Sequence, residues 1–157
     1  MRFEQATIED ISQLTALRIA FLQEDSGLTP EQLTVIQRDL PSYFMRHLNH
    51  DLLVFVAREE AEIVSCAFLL LEEKPMGPSF INGKTGTVFD VYTKPALRRQ
   101  GLAKQVVSLL LENAAALALC VVELKATAAG YPLYRKLGFQ DEVIKYRRMT
   151  WKNSVPS

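Results

Sequence analysis

Apolar side chains recur every three or four positions near the start of the chain, a spacing typical of an amphipathic helix. The residues on this face are Ile11, Leu14, Leu17, Phe21 and Leu22. The pattern predicts a helix over residues 8–25, preceded by a short strand over residues 2–6. Thr29 and Pro30 supply an N-cap and a first-turn proline for a second helix. We expect Pro41 to break or kink that second helix, because proline lacks the amide N–H that the helix interior needs.

Further along, the pattern changes to runs of β-branched and aromatic residues, which favour strands. Residues 52–57 and 63–71 are separated by a charged stretch and predict an antiparallel hairpin. Asn82 and Gly83 form a dipeptide typical of a tight turn. Residues 87–93 predict the next strand, which ends before a proline.

The C-terminal half alternates helices with strands. Helical spacing of leucine and valine predicts a long helix over residues 100–119, followed by a short strand of the buried type over residues 120–125. A short helix over residues 131–137 and a final strand over residues 142–151 follow. This order predicts one α/β domain over residues 1–157, with three layers in which a mixed sheet carries helices on both faces.

The composition is that of a soluble globular domain, with 48% hydrophobic and 23% charged residues. Eighteen basic residues balance eighteen acidic ones, so no net charge indicates a nucleic acid or a membrane as partner. No apolar stretch approaches the roughly 20 residues of a membrane span. The first residues lack the apolar core of a secretory signal. Cys66 and Cys120 lie in apolar runs and are expected to be buried free thiols, which predicts a cytoplasmic protein.

The densest chemical signal lies at the junction between the strand of residues 87–93 and the helix that follows it. The basic side chains at this junction are Lys94, Arg98, Arg99 and Lys104. The first amide N–H groups of a helix have no intrahelical partner and carry partial positive charge, which suits a phosphate. Gly101 and Ala103 are small enough to let an anion reach the backbone. The junction therefore predicts a phosphate or pyrophosphate site, with a solvated basic turn as the alternative.

Two blocks of this region resemble a known family. Residues 98–103, Arg-Arg-Gln-Gly-Leu-Ala, match the Arg/Gln-x-x-Gly-x-Gly/Ala signature of the GNAT superfamily of N-acetyltransferases. Residues 131–139, Tyr-Pro-Leu-Tyr-Arg-Lys-Leu-Gly-Phe, resemble the family's downstream Leu-Tyr-x-Lys-x-Gly-Phe block. Both blocks stand in the family's order on the expected elements. The resemblance implies a single GNAT-type domain with a mixed, mostly antiparallel sheet.

The resemblance also implies acetyl-CoA as co-substrate. In the family, a strand edge at a splayed point of the sheet pairs with the pantetheine arm, and amides of the following helix N-terminus cradle the pyrophosphate. The family's common Asn and Ala at the end of the next strand are replaced by Thr127 and Gly130, so that pantetheine contact changes to a hydroxyl. The cofactor-binding residues implied in this way are Val91, Tyr92, Thr93, Arg98, Arg99, Gln100, Gly101, Leu102, Ala103, Lys104, Thr127 and Gly130.

Two residues are candidates for proton transfer. Tyr134 occupies the position where many relatives place a general acid that protonates the CoA thiolate, and a phenol with a pKa near ~10 suits that step. Packing on the sheet is the alternative role of Tyr134. The positions that carry Glu or His in some relatives hold Thr87 and Phe89 here, and neither side chain is a base. Asp90 has the opposite side-chain parity, so it serves as base only if the strand bulges, and a structural carboxylate is the alternative.

The resemblance places the amine-binding pocket at the first two helices, where the candidates are Arg18, Phe21, Glu24, Asp25, Tyr43 and His47. Glu24 and Asp25 favour a cationic amine if they line the pocket, and are otherwise a solvated helix end. His47 and His50 lack a third ligand, so no metal is expected.

The leading hypothesis is an N-acetyltransferase that moves an acetyl group from acetyl-CoA to a primary amine of a small molecule or protein. Direct attack in a ternary complex is expected, because neither cysteine lies where an acyl carrier is needed. The alternative is a non-catalytic sensor or interaction module that binds acyl-CoA. A Rossmann domain and a Walker-type NTPase are disfavoured, because their glycine-rich motifs are absent. The resemblance is compatible with a homodimer formed through the C-terminal strand.

Overall fold

A single mixed sheet organises residues 1–154, the part of the chain that this computed structural model describes. The strands are β1 (Arg2–Gln5), β2 (Leu52–Glu59), β3 (Glu62–Glu73), β4 (Lys84–Thr93) and β5 (Val121–Glu123). The α-helices are α1 (Ile11–Asp25), α2 (Pro30–His47), α3 (Leu102–Ala116) and α4 (Tyr131–Lys136). Short 3-10 turns at Ile8–Asp10 and Pro95–Leu97 precede α1 and follow β4. The predicted domain boundary includes residues 155–157, which lie outside the described part.

The strands follow the order β1-β2-β3-β4-β5 across the sheet. The first three neighbouring pairs are antiparallel, and β4 pairs with β5 in parallel. The parallel pair is joined by α3, the crossover helix that such a connection requires. The expected mixed, mostly antiparallel sheet is therefore confirmed.

The sheet carries an apolar core on each face. Phe44, Leu14 and Val54 belong to the core beneath α1 and α2, and none of them is exposed. Val106 and Leu110 of α3 belong to the core on the opposite face and are equally buried. Burial of each leucine or phenylalanine side chain contributes about 1.5–3 kcal/mol. The three-layer α/β arrangement is confirmed by these two cores.

Helix α2 continues through Pro41, so the predicted break is wrong. Proline removes one backbone hydrogen bond from a helix interior, and the turns on either side keep theirs. Phe44, three residues later, is fully buried and packs edge-to-face with Phe68 of β3 at 5.9 Å between ring centroids. Packing of this ring against the sheet holds the second half of the helix in register.

The predicted final strand at residues 142–151 is absent from the described structure, where this segment forms neither strand nor helix. Within residues 1–154 this segment pairs with no strand, and β5 at the neighbouring sheet edge spans only Val121–Glu123, so the backbone bonds that would hold a strand are not made. Strand β5 is shorter than predicted and only partly buried, because it lies at the sheet edge.

Cys66 is buried as expected, whereas Cys120, next to the β5 edge of the sheet, is exposed. No helix in residues 1–154 is long and apolar enough to cross a membrane.

Candidate active site

Strands β4 and β5 separate halfway along β4. Their parallel pairing runs from Thr85–Val121 to Thr87–Glu123 and stops there, although β4 continues to Thr93. Beyond Thr87, the side of β4 that faces away from β3 has no strand partner among the described residues. Val91, Tyr92 and Thr93, the residues expected to pair with pantetheine, lie along this free edge. Backbone groups of an unpaired edge can receive an extended ligand.

A β-bulge interrupts β4 just before this segment. Cys66 lies opposite Tyr92 and Phe68 lies opposite Phe89, so two steps along β3 correspond to three along β4. The extra residue allows Asp90 to adopt a left-handed backbone with a φ of 49°. Aspartate tolerates this conformation better than most residues other than glycine. The β-bulge that the role of Asp90 as a base requires is therefore present, and it changes the direction in which the Asp90 side chain points.

Asp90 points toward α1 and is held there by Arg18. Its Oδ1 atom accepts a hydrogen bond from Arg18 Nη1 at 2.6 Å, and its side chain is 2% exposed. Its Oδ2 atom is buried and has no partner among the described residues. Burial raises the pKa of the Asp90 carboxyl, and the contact with Arg18 opposes that rise. One oxygen is therefore fixed in position, and the other is free to accept a proton.

Tyr134 lies on α4 and packs toward the opposite face of the sheet, beside the core beneath α3. Its ring meets that of Phe139 edge-to-face at 5.9 Å between centroids. Burial raises the pKa of the Tyr134 phenol above its usual value, so the hydroxyl stays protonated at neutral pH. The hydroxyl has no hydrogen-bond partner in residues 1–154.

Gly130 fixes the distance between α4 and the loop before it. A Cβ atom at Gly130 would lie 2.9 Å from Tyr134 Cε2 and 3.3 Å from Thr127 Oγ1. Thr127 Oγ1 accepts a hydrogen bond from the Gly130 amide at 3.1 Å, which leaves its own proton available to a ligand. The absence of a side chain at Gly130 therefore allows Tyr134 to approach this loop closely.

The N-terminus of α3 presents a row of free amides. In the described chain, none of the amides of residues 99–104 donates a hydrogen bond to a protein acceptor, and the first bond comes from Gln105 to the Gly101 carbonyl. Arg99 and Gly101 have left-handed φ angles of 64° and 80°. Left-handed residues turn neighbouring N–H groups toward a shared concavity that suits an anion. No atom lies within 4 Å of a Cβ built at Gly101, so the approach to these amides is open.

Arg98 is oriented differently from its neighbours. Its guanidinium makes two hydrogen bonds of 2.6 Å to the Glu24 carboxylate at the end of α1. It also donates to the Thr93 carbonyl and lies 5.3 Å from the centroid of the Tyr92 ring. Its guanidinium is therefore engaged in an ion pair, and the expected contact of this side chain with phosphate stays a prediction. Arg99 and Lys104 form no ion pair within residues 1–154 and remain available.

The region near the first two helices holds further polar groups. Glu24 is engaged by Arg98 and does not form a free anionic patch with Asp25. His47 Nδ1 lies 2.8 Å from Asp51 Oδ1, and its ring lies 4.5 Å from that of Tyr43. The loop between α1 and α2 borders a groove lined by Arg18, Leu22, Ser26, Gly27, Leu28, Thr29, Gln32 and Ile36.

Sequence reasoning did not find the partners of Asp90 and Arg98. Arg18 is 72 positions from Asp90, and Glu24 is 74 positions from Arg98. Neither pair has a local spacing signal, because its members belong to different layers of the fold.

The sequence model of one family matches most of this chain. The family is described as the acetyltransferase (GNAT) family, and the match covers residues 17–139. The match includes β4, the α3 N-terminus and Tyr134, which are the parts described above. A search of curated proteins gave no match.

Solved structures of similar shape are numerous. A predicted acetyltransferase from Clostridium acetobutylicum, crystallised with acetyl-CoA, is 28% identical, with a TM-score of 0.82 and 95% of each chain covered. A GCN5-related N-acetyltransferase from Ralstonia eutropha is 21% identical, with a TM-score of 0.79 over 94% of this chain and 97% of that one. Glucosamine-6-phosphate N-acetyltransferase from Arabidopsis thaliana is also 21% identical, with a TM-score of 0.64 over 95% and 99%.

Proposed function

Because this chain belongs to the acetyltransferase (GNAT) family, we propose that it moves an acetyl group from acetyl-CoA to a primary amine of a small molecule or protein. The row of free amides at residues 99–104 is the observation that carries this proposal. Such a row stabilises a pyrophosphate through charge-assisted hydrogen bonds, each worth about 1.5–3 kcal/mol. The Clostridium neighbour was crystallised with acetyl-CoA, which supports the same ligand here.

The other proposed cofactor-binding residues lie on β4 and on the loop after β5. Pantetheine would lie along the free edge of Val91, Tyr92 and Thr93, where amide groups can pair with it as a strand would. Thr127 and Gly130 belong to the loop between β5 and α4, and the Thr127 hydroxyl and the space at Gly130 would contact the same arm from that loop. Arg99, Gln100, Leu102, Ala103 and Lys104 contribute backbone amides, and Arg99 and Lys104 add charge. Arg98 contributes by holding α1 next to this loop.

The two proton-transfer roles fall to residues on opposite faces of the sheet. Asp90 Oδ2 would accept a proton from the attacking amine, directly or through water, as the new C–N bond forms. The Tyr134 hydroxyl would give a proton to the CoA sulfur as the C–S bond breaks. In each cycle Asp90 gains one proton and Tyr134 loses one, so the overall proton count is unchanged. Exchange of these protons with solvent returns both residues to their starting states.

Direct attack by the amine is supported by the state of the cysteines. Cys66 is completely buried, and burial raises the pKa of its thiol, which makes it a poor nucleophile. Cys120 is exposed and lies just before β5, where its Sγ atom contacts the Lys84 carbonyl at 3.3 Å. Cys66 is therefore not suited to carry an acyl group, and Cys120 lies beside the first residue of β4, at the other end of that strand from Val91, Tyr92 and Thr93. Two free thiols also fit a reducing, cytoplasmic setting.

The cofactor site is tested by comparing two glycines with the same backbone conformation. Gly101→Val and Gly27→Val both place a β-branched side chain at a left-handed φ, 80° and 73°, with no atom within 4 Å of the new Cβ. Both substitutions should cost about 1–2 kcal/mol of stability from backbone strain. Only Gly101→Val should weaken acetyl-CoA binding by calorimetry, by roughly tenfold or more, because it blocks the amide row. Equal affinities of the two variants would contradict the proposed site.

The acid is tested by Tyr134→Phe, with Tyr131→Phe on the same helix as control. We expect Tyr134→Phe to lower turnover by roughly 100-fold while acetyl-CoA affinity is retained, and Tyr131→Phe to leave turnover unchanged. Release of CoA thiol would be followed against a panel of polyamines, amino acids, aminoglycosides and peptides. Binding of acetyl-CoA without thiol release on any of them would favour the alternative function, a non-catalytic acyl-CoA sensor.

A further inference from the structure

Arg18 has unused hydrogen-bonding capacity beside the proposed base. A guanidinium carries several N–H groups, and within residues 1–154 that of Arg18 makes a single hydrogen bond, to Asp90 Oδ1 at 2.6 Å. The Arg18 side chain is 32% exposed, so its remaining N–H groups can reach a ligand. The planar guanidinium matches the paired oxygens of a carboxylate, which the ammonium of a lysine does not. Arg18 can therefore hold Asp90 and bind a second carboxylate at the same time.

The surface next to Arg18 suits one added negative charge. Arg18 lines the groove at the loop between α1 and α2, and it is the single charged residue among those that line it. The α2 N-terminus also borders this groove, but its amides are engaged by its own cap, in which the Thr29 and Gln32 side chains accept from each other's backbone. One guanidinium matches a singly charged carboxylate, whereas a phosphate dianion calls for more donors.

The acidic residues at the end of α1 add to this picture without cancelling it. Glu24 is neutralised by its ion pair with Arg98. Asp25 is exposed and forms no ion pair in the described part of the chain, and its negative charge adds to the rise in the pKa of Asp90. An ammonium group next to Asp90 is attracted by both aspartates, and a carboxylate next to Arg18 is attracted by the guanidinium. The surroundings are complementary to a zwitterion.

Phe89 supplies an apolar surface beside these charges. It lies opposite Phe68 in the sheet, and cross-strand partners share a face, so Phe89 points toward the layer of α1 and α2, where Phe68 is buried. The β-bulge directs Asp90, the next residue, to the same layer. Phe89 is 43% exposed and belongs to neither apolar core of the described chain. An exposed aromatic ring next to a few convergent polar groups is typical of a small-molecule site.

We propose that the amine acceptor is a free α-amino acid with an apolar side chain, whose carboxylate binds Arg18 and whose side chain packs on Phe89. This inference rests on the proposed acetyl transfer and adds the chemical class of the acceptor. In an α-amino acid one carbon atom joins the amine to the carboxylate, and in the site one ion pair joins Asp90 to Arg18. An amine placed at Asp90 therefore brings its own carboxylate to the guanidinium. The product is an N-acetylated amino acid, and the proton transfers stay with Asp90 and Tyr134.

Matched acceptors test the carboxylate. L-Phenylalanine and L-phenylalaninamide differ in the replacement of the carboxylate by a neutral amide, and the amide also stands for the N-terminus of a peptide. Release of CoA thiol would be measured with both, with a diamine and with glucosamine 6-phosphate. We expect kcat/KM to be higher for phenylalanine than for each of the others by roughly tenfold or more, the factor that a hydrogen bond to a charged group provides. A preference for the amide, the diamine or the sugar phosphate would overturn the inference and leave acetyl transfer intact.

Arg18→Lys keeps a positive charge for Asp90 and removes the planar guanidinium. We expect the ratio of kcat/KM for phenylalanine to kcat/KM for phenylalaninamide to fall by roughly tenfold. A residue that only positions Asp90 would affect both acceptors equally, so an unchanged ratio would overturn the inference. Arg38→Lys is the matched control, because Arg38 of α2 is also paired with an aspartate, Asp39, and should leave the ratio unchanged.

The side-chain contact is tested separately. L-Phenylalanine should be a better acceptor than L-alanine by roughly tenfold, because its side chain removes apolar surface from water on Phe89. Phe89→Ala should remove most of this preference and keep the preference for the acid over the amide. Phe89 is half-exposed and lies outside both cores, so the fold should persist, which circular dichroism would check. An undiminished preference for phenylalanine over alanine in this variant would contradict the contact.

Calorimetry distinguishes failure of this inference from failure of the proposed function. L-Phenylalanine would be titrated into protein saturated with CoA, and we expect binding that Arg18→Lys weakens by roughly tenfold. Such binding without thiol release would support the amino-acid site and contradict acetyl transfer alone. Thiol release with phenylalaninamide in the absence of phenylalanine binding would contradict the inference alone. Neither binding nor thiol release with any acceptor would overturn both.

Discussion

At the scale of single residues, the proposed base is an aspartate whose two oxygens have different surroundings. Arg18 engages Oδ1 of Asp90, and the β-bulge leaves Oδ2 buried without a partner in the described chain. Burial raises the pKa of this carboxyl, which makes its ionised form a stronger base. A base of this kind works only when ionised, so the rate of acetyl transfer should rise as pH passes through the raised pKa of Asp90.

Asp90→Asn tests this role. The amide keeps the shape of the carboxyl but cannot accept the proton, so turnover should fall by about 100-fold or more while acetyl-CoA affinity stays the same. The low-pH limb of the rate profile that belongs to Asp90 should disappear in the variant. Because the pKa of Asp90 is raised by folding, its contribution to stability is greatest at low pH and declines as pH rises. The variant should therefore not lose stability preferentially at neutral pH. An unchanged turnover would leave Asp90 as a structural carboxylate.

A second prediction at this scale concerns the space at Gly130. A methyl group there would lie 2.9 Å from Tyr134 Cε2, so Gly130→Ala must displace the Tyr134 ring. We expect turnover to fall by roughly tenfold or more, because a small displacement of a reacting group is costly to the rate. Gly77→Ala is the control, since no atom lies within 4 Å of its new Cβ. Steady-state kinetics would measure turnover of both variants. Equal rates would contradict a role for Tyr134 in proton transfer.

At the scale of elements, local sequence patterns predicted most helices and strands. They failed where contacts with a distant part of the chain determine the local structure. Helical spacing located α1, and the capping residues Thr29 and Pro30 located the start of α2, because these signals are contained in the segment itself. Pro41 suggested a break, but burial of Phe44 against the sheet outweighs the lost hydrogen bond. The amide row before α3 was predictable from Gly101 and the basic turn. The ion pair between Arg98 and Glu24 was not, because it joins two layers that only the folded chain brings together.

The N-cap of α2 gives a prediction at the same scale. Thr29 Oγ1 accepts a hydrogen bond from the Gln32 amide at 3.1 Å, and Gln32 Oε1 accepts one from the Thr29 amide at 3.0 Å. Thr29→Ala should lower the free energy of unfolding by about 1 kcal/mol, the usual contribution of such a cap. Thr34→Ala, inside the same helix, removes only a bond to the Pro30 carbonyl and should cost little. Urea unfolding of both variants would measure the difference, and equal losses would contradict a capping role for Thr29.

At the scale of the whole molecule, one buried ion pair fastens the start of the helical layer to the sheet. Arg58 of β2 makes hydrogen bonds of 2.9 and 2.6 Å to the carboxylate of Asp10, the residue before α1, and one of 2.7 Å to Glu4 of β1. The Asp10 and Arg58 side chains are 9% and 11% exposed. Replacement of one partner of a buried pair is costly because it leaves the other charge without compensation.

Acid should therefore loosen this attachment before it affects the rest of the core. The hydrogen bonds from Arg58 hold the pKa of Asp10 below its usual value, so the unfolded chain takes up this proton at a higher pH than the folded one. The stabilisation is complete above the ordinary aspartate pKa of about 4 and declines as pH falls through the lowered value. Asp10→Asn should lose about 2–4 kcal/mol at neutral pH, moderated by the remaining contact between Arg58 and Glu4. Below pH ~4, the free energy of unfolding of this variant should fall less steeply with decreasing pH than that of the wild type, since the variant has no carboxyl at position 10 to take up a proton. Urea unfolding at a series of pH values would measure both slopes. Parallel curves for the two proteins would mean that acid sensitivity arises elsewhere in the molecule.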